Sequence, residues 1–112
     1  MSIFDRNNTQ CEPVEAQIVT SHGEKLKGIV RTSKKLEIQN HCHKTKLTLS
    51  QIHSIKIKDK FTSSPERNQY EVKTRTGNVY LGQINSSLTI NIDNNRFSFN
   101  TYEIQSLEPV YN

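Results

Sequence analysis

Apolar residues recur at every second position along much of the chain: Leu26, Gly28 and Val30; Leu36 and Ile38; Leu47 and Leu49; Ile55 and Ile57. Successive strand residues point to opposite faces, so this alternation sets one row of each strand against a core and the other in solvent. The pattern predicts short strands, and helical spacing is nearly absent from it. Turn residues fall between the apolar rows. "HG" at 22–23 and "TG" at 76–77 place a glycine where a hairpin needs a positive φ, while "SKK", "NSS" and "DNN" read as tight polar connections.

The pattern is written twice. Ile18, Thr20, Gly23, Leu26, Gly28 and Val30 align without a gap to Val72, Thr74, Gly77, Tyr80, Gly82 and Ile84. After a two-residue shortening, Leu36 and Ile38 align to Leu88 and Ile90, Leu47 and Leu49 to Phe97 and Phe99, and "IHSI" at 52–55 to "IQSL" at 104–107. A duplicated unit of about five strands follows. Gly28 and Gly82 fall inside predicted strands, where glycine weakens the strand unless the chain bends or another backbone comes close. The expected fold class is all-β, with two tandem five-stranded antiparallel barrels. The expected organisation is an arm over 1–13, docked by Phe4, a first repeat over 14–58, a linker "DKFTSSPERN" over 59–68, and a second repeat over 69–112.

Composition sharpens this picture. Hydrophobic residues make up 32% of the 112 positions and there is no Trp, so the core must be assembled from short rows of Ile, Leu and Val. Each copy alone is near the lower size limit for burying a core, and the copies are expected to lean on each other or on another chain. No run is long and apolar enough for a membrane span, and "MSIFDRNNTQ" lacks the basic start and apolar run of a secretory signal. The reading is a soluble, cytoplasmic protein without a membrane partner, with Cys11 and Cys42 reduced.

"GEKLKGIV" at 23–30 follows a strand ending in a glycine turn, an apolar Leu36 comes eight positions after Gly28, and the copy closes on "QIHSI" at 51–55. This arrangement resembles the Sm-like fold, and copy one is most similar to the bacterial Sm-like RNA chaperones over about 40 residues. Other small SH3-like barrels share the skeleton. The resemblance implies tandem Sm-like or SH3-like barrels and RNA held by oligomeric rings. It further implies a stacking side chain in the loop after the second strand and a polar or basic cluster before the last. At the first place the chain carries Leu36 and Leu88; at the second it carries Leu49, Ser50 and Gln51, and in copy two Thr101, Tyr102 and Glu103.

The charge is uneven. The net is +4, yet residues 15–60 hold ten Lys or Arg against four Asp or Glu, and residues 61–112 hold four against five. With Leu26, Gly28 and Val30 inward, Lys25, Lys27, Ile29 and Arg31 point outward, as do Lys44, Lys46 and Thr48 on one later strand and Lys56, Lys58 and Lys60 on the next. If those strands are neighbours they make a basic face for phosphates, with Lys25, Lys27, Arg31, Lys46, Lys56 and Lys58 contacting RNA or DNA. Lysine rows also blunt sheet edges and keep small β proteins in solution. Copy two places Val79, Leu81 and Gln83 where copy one has Lys25, Lys27 and Ile29. Val79 and Leu81 thus mark either an interface between repeats or subunits of a homo-oligomer, or a strand buried on both faces.

"NHCHKT" at 40–45 sets His41 and His43 on one side of a strand beside Cys42, but structural zinc takes four ligands in close order, so a polar hairpin tip is expected and no metal or cofactor. His22 and His53 are isolated. There is no phosphate-cradling loop, nucleophile elbow or paired acid–histidine motif, and the chain is not expected to be an enzyme. Two functions remain in view: a non-enzymatic nucleic-acid-binding module using the basic face of the first repeat, or a protein-interaction or small-ligand-sequestering module, an adaptor or inhibitor with a pocket between repeats or subunits.

Overall fold

The computed structural model describes residues 13–41 and 43–110; Phe4, Cys11 and Cys42, and with them the expected docking of the arm, lie outside the described residues. The alternating rows form ten strands: β1 (Val14–Thr20), β2 (Lys25–Thr32), β3 (Leu36–Gln39), β4 (Lys44–Leu47), β5 (Ile52–Asp59), β6 (Gln69–Thr74), β7 (Val79–Ile84), β8 (Ser87–Ile92), β9 (Asn95–Asn100) and β10 (Ile104–Pro109). Three one-turn 3₁₀ segments, Leu49–Gln51, Pro65–Arg67 and Thr101–Glu103, are the only helical turns among the described residues. None is long or apolar enough to cross a membrane.

The expectation of an all-β fold holds, but the strands form one curled antiparallel sheet in the order β4-β3-β7-β6-β5-β10-β1-β2-β8-β9. The third strand of each copy does not pair with the second strand of its own copy. Instead β3 pairs with β7 and β8 pairs with β2, so the hairpins β3–β4 and β8–β9 are exchanged between copies. The backbone differs between the connections that reverse tightly and those that cross. Short hairpin turns commonly use residues at positive φ. Among the described residues these are Gly23 and Gly77, which turn β1 into β2 and β6 into β7, and Asp93 and Asn94, which turn β8 into β9. The connections "SKK" and "NSS" contain none, and there the chain crosses into the other half of the sheet.

An approximate twofold axis runs through the β5–β10 joint, where Ile55 faces Leu107. Around it the pairings correspond: Ile18↔Leu26 with Val72↔Tyr80, Ile18↔Leu107 with Val72↔Ile55, and Val30↔Ile90 with Ile84↔Ile38. Leu36↔Leu47 likewise corresponds to Leu88↔Phe99, which corrects the alignment of the fourth strand by two residues. Leu47 answers to Phe99, not Phe97. Leu49 leaves the strand, opens a 3₁₀ turn and answers to Thr101, which opens the matching turn.

One apolar cluster serves both halves, joining Ile18, Val30, Ile38 and Leu49 to Tyr70, Val72, Ile84, Ile90 and Leu107. The exchanged hairpins approach β2 and β7 over the two strand-interior glycines. A Cβ on Gly28 would overlap the carbonyl oxygen of Asn91, and one on Gly82 would lie 2.5 Å from that of Gln39. Close backbone approach is thus the reason these positions lack a side chain. A buried polar node ties the halves together. The Tyr70 hydroxyl donates to the carbonyl oxygens of Thr101 (2.7 Å) and Ile104 (3.1 Å). The Thr101 hydroxyl donates to the Ile84 carbonyl and accepts from the Ser86 N–H, pinning the β7–β8 crossing.

The stretch 59–68 is an ordered loop closing the β5–β6 hairpin. Buried Asn68 accepts from the Phe61 N–H at 2.7 Å, and the Arg67 guanidinium stands 5.6 Å from the Phe61 ring centroid.

Candidate nucleic-acid interface

Strand alternation delivers most of the expected solvent-facing lysines. Lys25, Lys27 and Arg31 are exposed on the outer side of β2 because Val30 and Thr32 are buried on the other. Lys44 and Lys46 are exposed on β4, and Lys56 and Lys58 on β5. Thr48 corrects the pattern: at 8% exposure it is buried, because β4 ends at Leu47 and the following turn folds Thr48 inward, its N–H donating to Gln51 Oε1 at 2.9 Å.

The three basic strands are not neighbours. From β5 to β2 is three strand spacings and from β5 to β4 is four, roughly 14 Å and 19 Å along the sheet. Both exceed the ~8 Å over which surface charges act at physiological salt. The premise of one continuous lysine face is therefore corrected: each row acts separately. Their settings also differ. Lys56 on β5 stands opposite Glu71, and Lys44 on β4 forms an ion pair with Glu37 at 3.8 Å, with Lys46 directly opposite the same carboxylate. Lys25, Lys27 and Arg31 on β2 make no ion pair among the described residues. Their cross-strand neighbours on β1 are Val19 and Gln17, and on β8 Thr89.

The β2 row extends onto the exchanged hairpin. Arg31 faces Thr89 of β8, which faces Ser98 of β9, and Arg96 lies two residues along β9 on the same face. Together with Ser33 and Ser87 these side chains line an open recess of about 290 Å³. Arg96 escaped the sequence reading because it belongs to the copy with no basic excess, and only the exchange of hairpins sets it beside Arg31.

Where the resemblance implies a base-binding cluster, the side chains serve the turn instead. Gln51 accepts from Thr48, and Glu103 accepts from the Asn100 N–H at 2.8 Å. The first of those turns borders another feature, a cavity of about 560 Å³ between copies, lined by Ser50 and Gln51 of the first and by Arg75, Thr76, Asn78 and Tyr80 of the second. The Arg75 N–H donates to the Gln51 carbonyl at 2.9 Å and its guanidinium to the Ser50 carbonyl at 3.4 Å, which joins the two walls.

Val79 and Leu81 are 50% and 49% exposed on the outer face of β7, left open by the other described residues. β3 pairs with β7 only at Gln83 and Ile84. His41 and His43 are exposed at the β3–β4 hairpin tip, where Asn40 Oδ1 accepts from the His43 N–H at 3.0 Å. No family model, no curated protein and no solved structure matches the chain.

Proposed function

We propose that the chain is a non-enzymatic nucleic-acid-binding module of the Sm-like type, two five-stranded barrels with exchanged hairpins, which holds RNA or DNA through its phosphates. The observation that supports this most is the outer row of β2. Lys25, Lys27 and Arg31 stand exposed in line on one rigid strand, without a carboxylate partner among the described residues. Phosphate contacts of this kind give sequence-tolerant affinity that falls steeply with salt.

In a gel-shift series on single-stranded RNA at rising salt, the wild-type chain shifts the RNA at low salt and loses it as salt rises. Substituting Lys25, Lys27 and Arg31 together by Gln removes up to three contacts and flattens the log–log slope by about 2, at ~0.7 per contact for single strands. Lys46→Gln, opposite Glu37, changes it far less. A triple variant with the wild-type slope refutes the assignment of the β2 row.

The module works as a homo-oligomer in this proposal, its copies meeting on Val79 and Leu81, the adjacent exposed apolar pair of β7. Replacing both by Lys is expected to lower the mass measured by light scattering to that of the single 12.9 kDa chain. A mass equal to wild type removes that surface from the interface.

The cavity between copies favours a second reading, a module that sequesters a small polar ligand or a partner's side chain. Its volume lies within the range of small-molecule sites, and hydroxyl, amide, guanidinium and aromatic groups converge on it. Absence of any gel shift at low salt decides for this reading over the first.

A further inference from the structure

The two halves of the sheet share a backbone plan but differ at one place in a way that bears on phosphate chemistry. In the half containing β3 and β4, the outer face carries Glu37 beside Lys44, and the two form an ion pair. In the half containing β8 and β9, the corresponding positions are Thr89 and Arg96: Thr89 pairs with Ser98 as Glu37 does with Lys46, and Asn91 pairs with Arg96 as Gln39 does with Lys44. The carboxylate is gone, its place taken by a hydroxyl, and lysine is replaced by arginine. The recess so formed also receives Arg31 from β2, together with the hydroxyls of Ser33, Ser87 and Ser98. Two arginines with no ion pair among the described residues, and the hydroxyl-bearing Thr89 and Ser98, therefore line one volume of about 290 Å³, beside Ser87, whose hydroxyl donates to Asn100 Oδ1 at 3.3 Å.

We propose that this recess is a seat for a phosphate monoester, the terminal phosphate of a nucleic-acid strand. The inference rests on the nucleic-acid reading above and names the group that this part of the surface recognises. A bridging phosphodiester carries one charge and two free oxygens. A terminal monoester carries nearly two charges at neutral pH and presents three oxygens. Two arginines, each able to offer a forked pair of donors, match the second better than the first, and the Thr89 and Ser98 hydroxyls supply donors for the third oxygen. A lone strand end also enters an open recess at the margin of the sheet, beside the edge strand β9, without threading.

The test measures binding of the full chain to one fluorescent single-stranded RNA of fixed sequence in three forms: 5′-phosphorylated, 3′-phosphorylated and with hydroxyls at both ends. Inorganic phosphate is the competitor. The expected result is a preference of about tenfold or more for one phosphorylated end over the hydroxyl form, a preference abolished by millimolar inorganic phosphate. Arg96→Gln brings the ratio close to one. Thr89→Glu, which restores the carboxylate found in the other half, does the same, whereas Lys44→Gln leaves the ratio at its wild-type value. Arg96 is exposed, and thermal midpoints within a degree of wild type show that the variants fold. Equal affinity for the three RNAs overturns the seat while leaving the wider reading intact. Failure of every RNA to bind at low salt overturns both. A preference that survives both Arg96→Gln and Thr89→Glu overturns the assignment to this recess.

Discussion

Alanine at Gly28 or Gly82 is expected to destabilise the protein by about 3 kcal/mol each, in the upper range for an overpacked site, and the double variant is expected to be largely unfolded without denaturant. At both positions the added methyl meets a backbone carbonyl of an exchanged hairpin, Asn91 or Gln39, in a residue held in the ladder to β2 or β7. A flexible side chain yields to such an overlap; a paired backbone moves only if the strand detaches. Gly23→Ala provides the contrast. Nothing lies within 4 Å of the added atom there, but φ is +89°, so only the left-handed backbone penalty of about 1 kcal/mol applies. Urea unfolding followed by circular dichroism measures all three. A midpoint loss for Gly28→Ala no larger than for Gly23→Ala removes the argument that the exchange rests on close backbone approach.

Tyr70→Phe is the second large effect, and it reads out in pH as well as in stability. The hydroxyl holds two carbonyls across the joint between the halves, and its loss costs about 1–2 kcal/mol at neutral pH. Burial pushes the Tyr70 phenol above its ordinary pKa of 10.0, with the Asn68 side chain working more weakly in the opposite direction. The folded state thus keeps its proton where the unfolded chain has begun to lose it. The stabilisation is fully present below pH ~10 and is lost as pH rises from there through the folded-state pKa, at up to about 1.4 kcal/mol per pH unit. Wild type is therefore expected to lose stability above pH 10 more steeply than Tyr70→Phe, so that the gap between them narrows. Parallel curves from pH 8 to 11 would show that the phenol is not held in a desolvated setting.

The strands and their inward rows were legible because period-two alternation is a local signal, and burial of Val30, Leu36, Ile38, Leu47 and Ile55 follows it directly. The order of the strands was not. Whether "SKK" reverses the chain or carries it onward depends on backbone dihedrals that no residue there announces, and the partner strand that decides the matter lies in the other copy. The two-residue slip in the fourth strand has a nearer cause: Phe97 and Phe99 mimic the spacing of Leu47 and Leu49. The capping pattern of the turns, Thr48 to Gln51 and Asn100 to Glu103, carries the correct offset and was the available signal. For the site, exposure of the lysines could be read from sequence. Their separation could not, nor could the company Arg31 keeps with Arg96, since both depend on strand order.

The exchange of hairpins also sets the order in which the protein can assemble. One half of the sheet, β4-β3-β7-β6-β5, is drawn from the continuous run Leu36–Ile84, whereas the other joins β1 and β2 to β8, β9 and β10 from the opposite end of the chain. The middle segment can close as soon as it exists. The outer strands must wait for a partner nearly the whole polypeptide away, as Ala16 does for Pro109. Loop closure between such distant segments slows folding, so a ribosome-bound nascent chain emerges with β1 and β2 unsheltered, and the half that bears the β2 cations is the last to form.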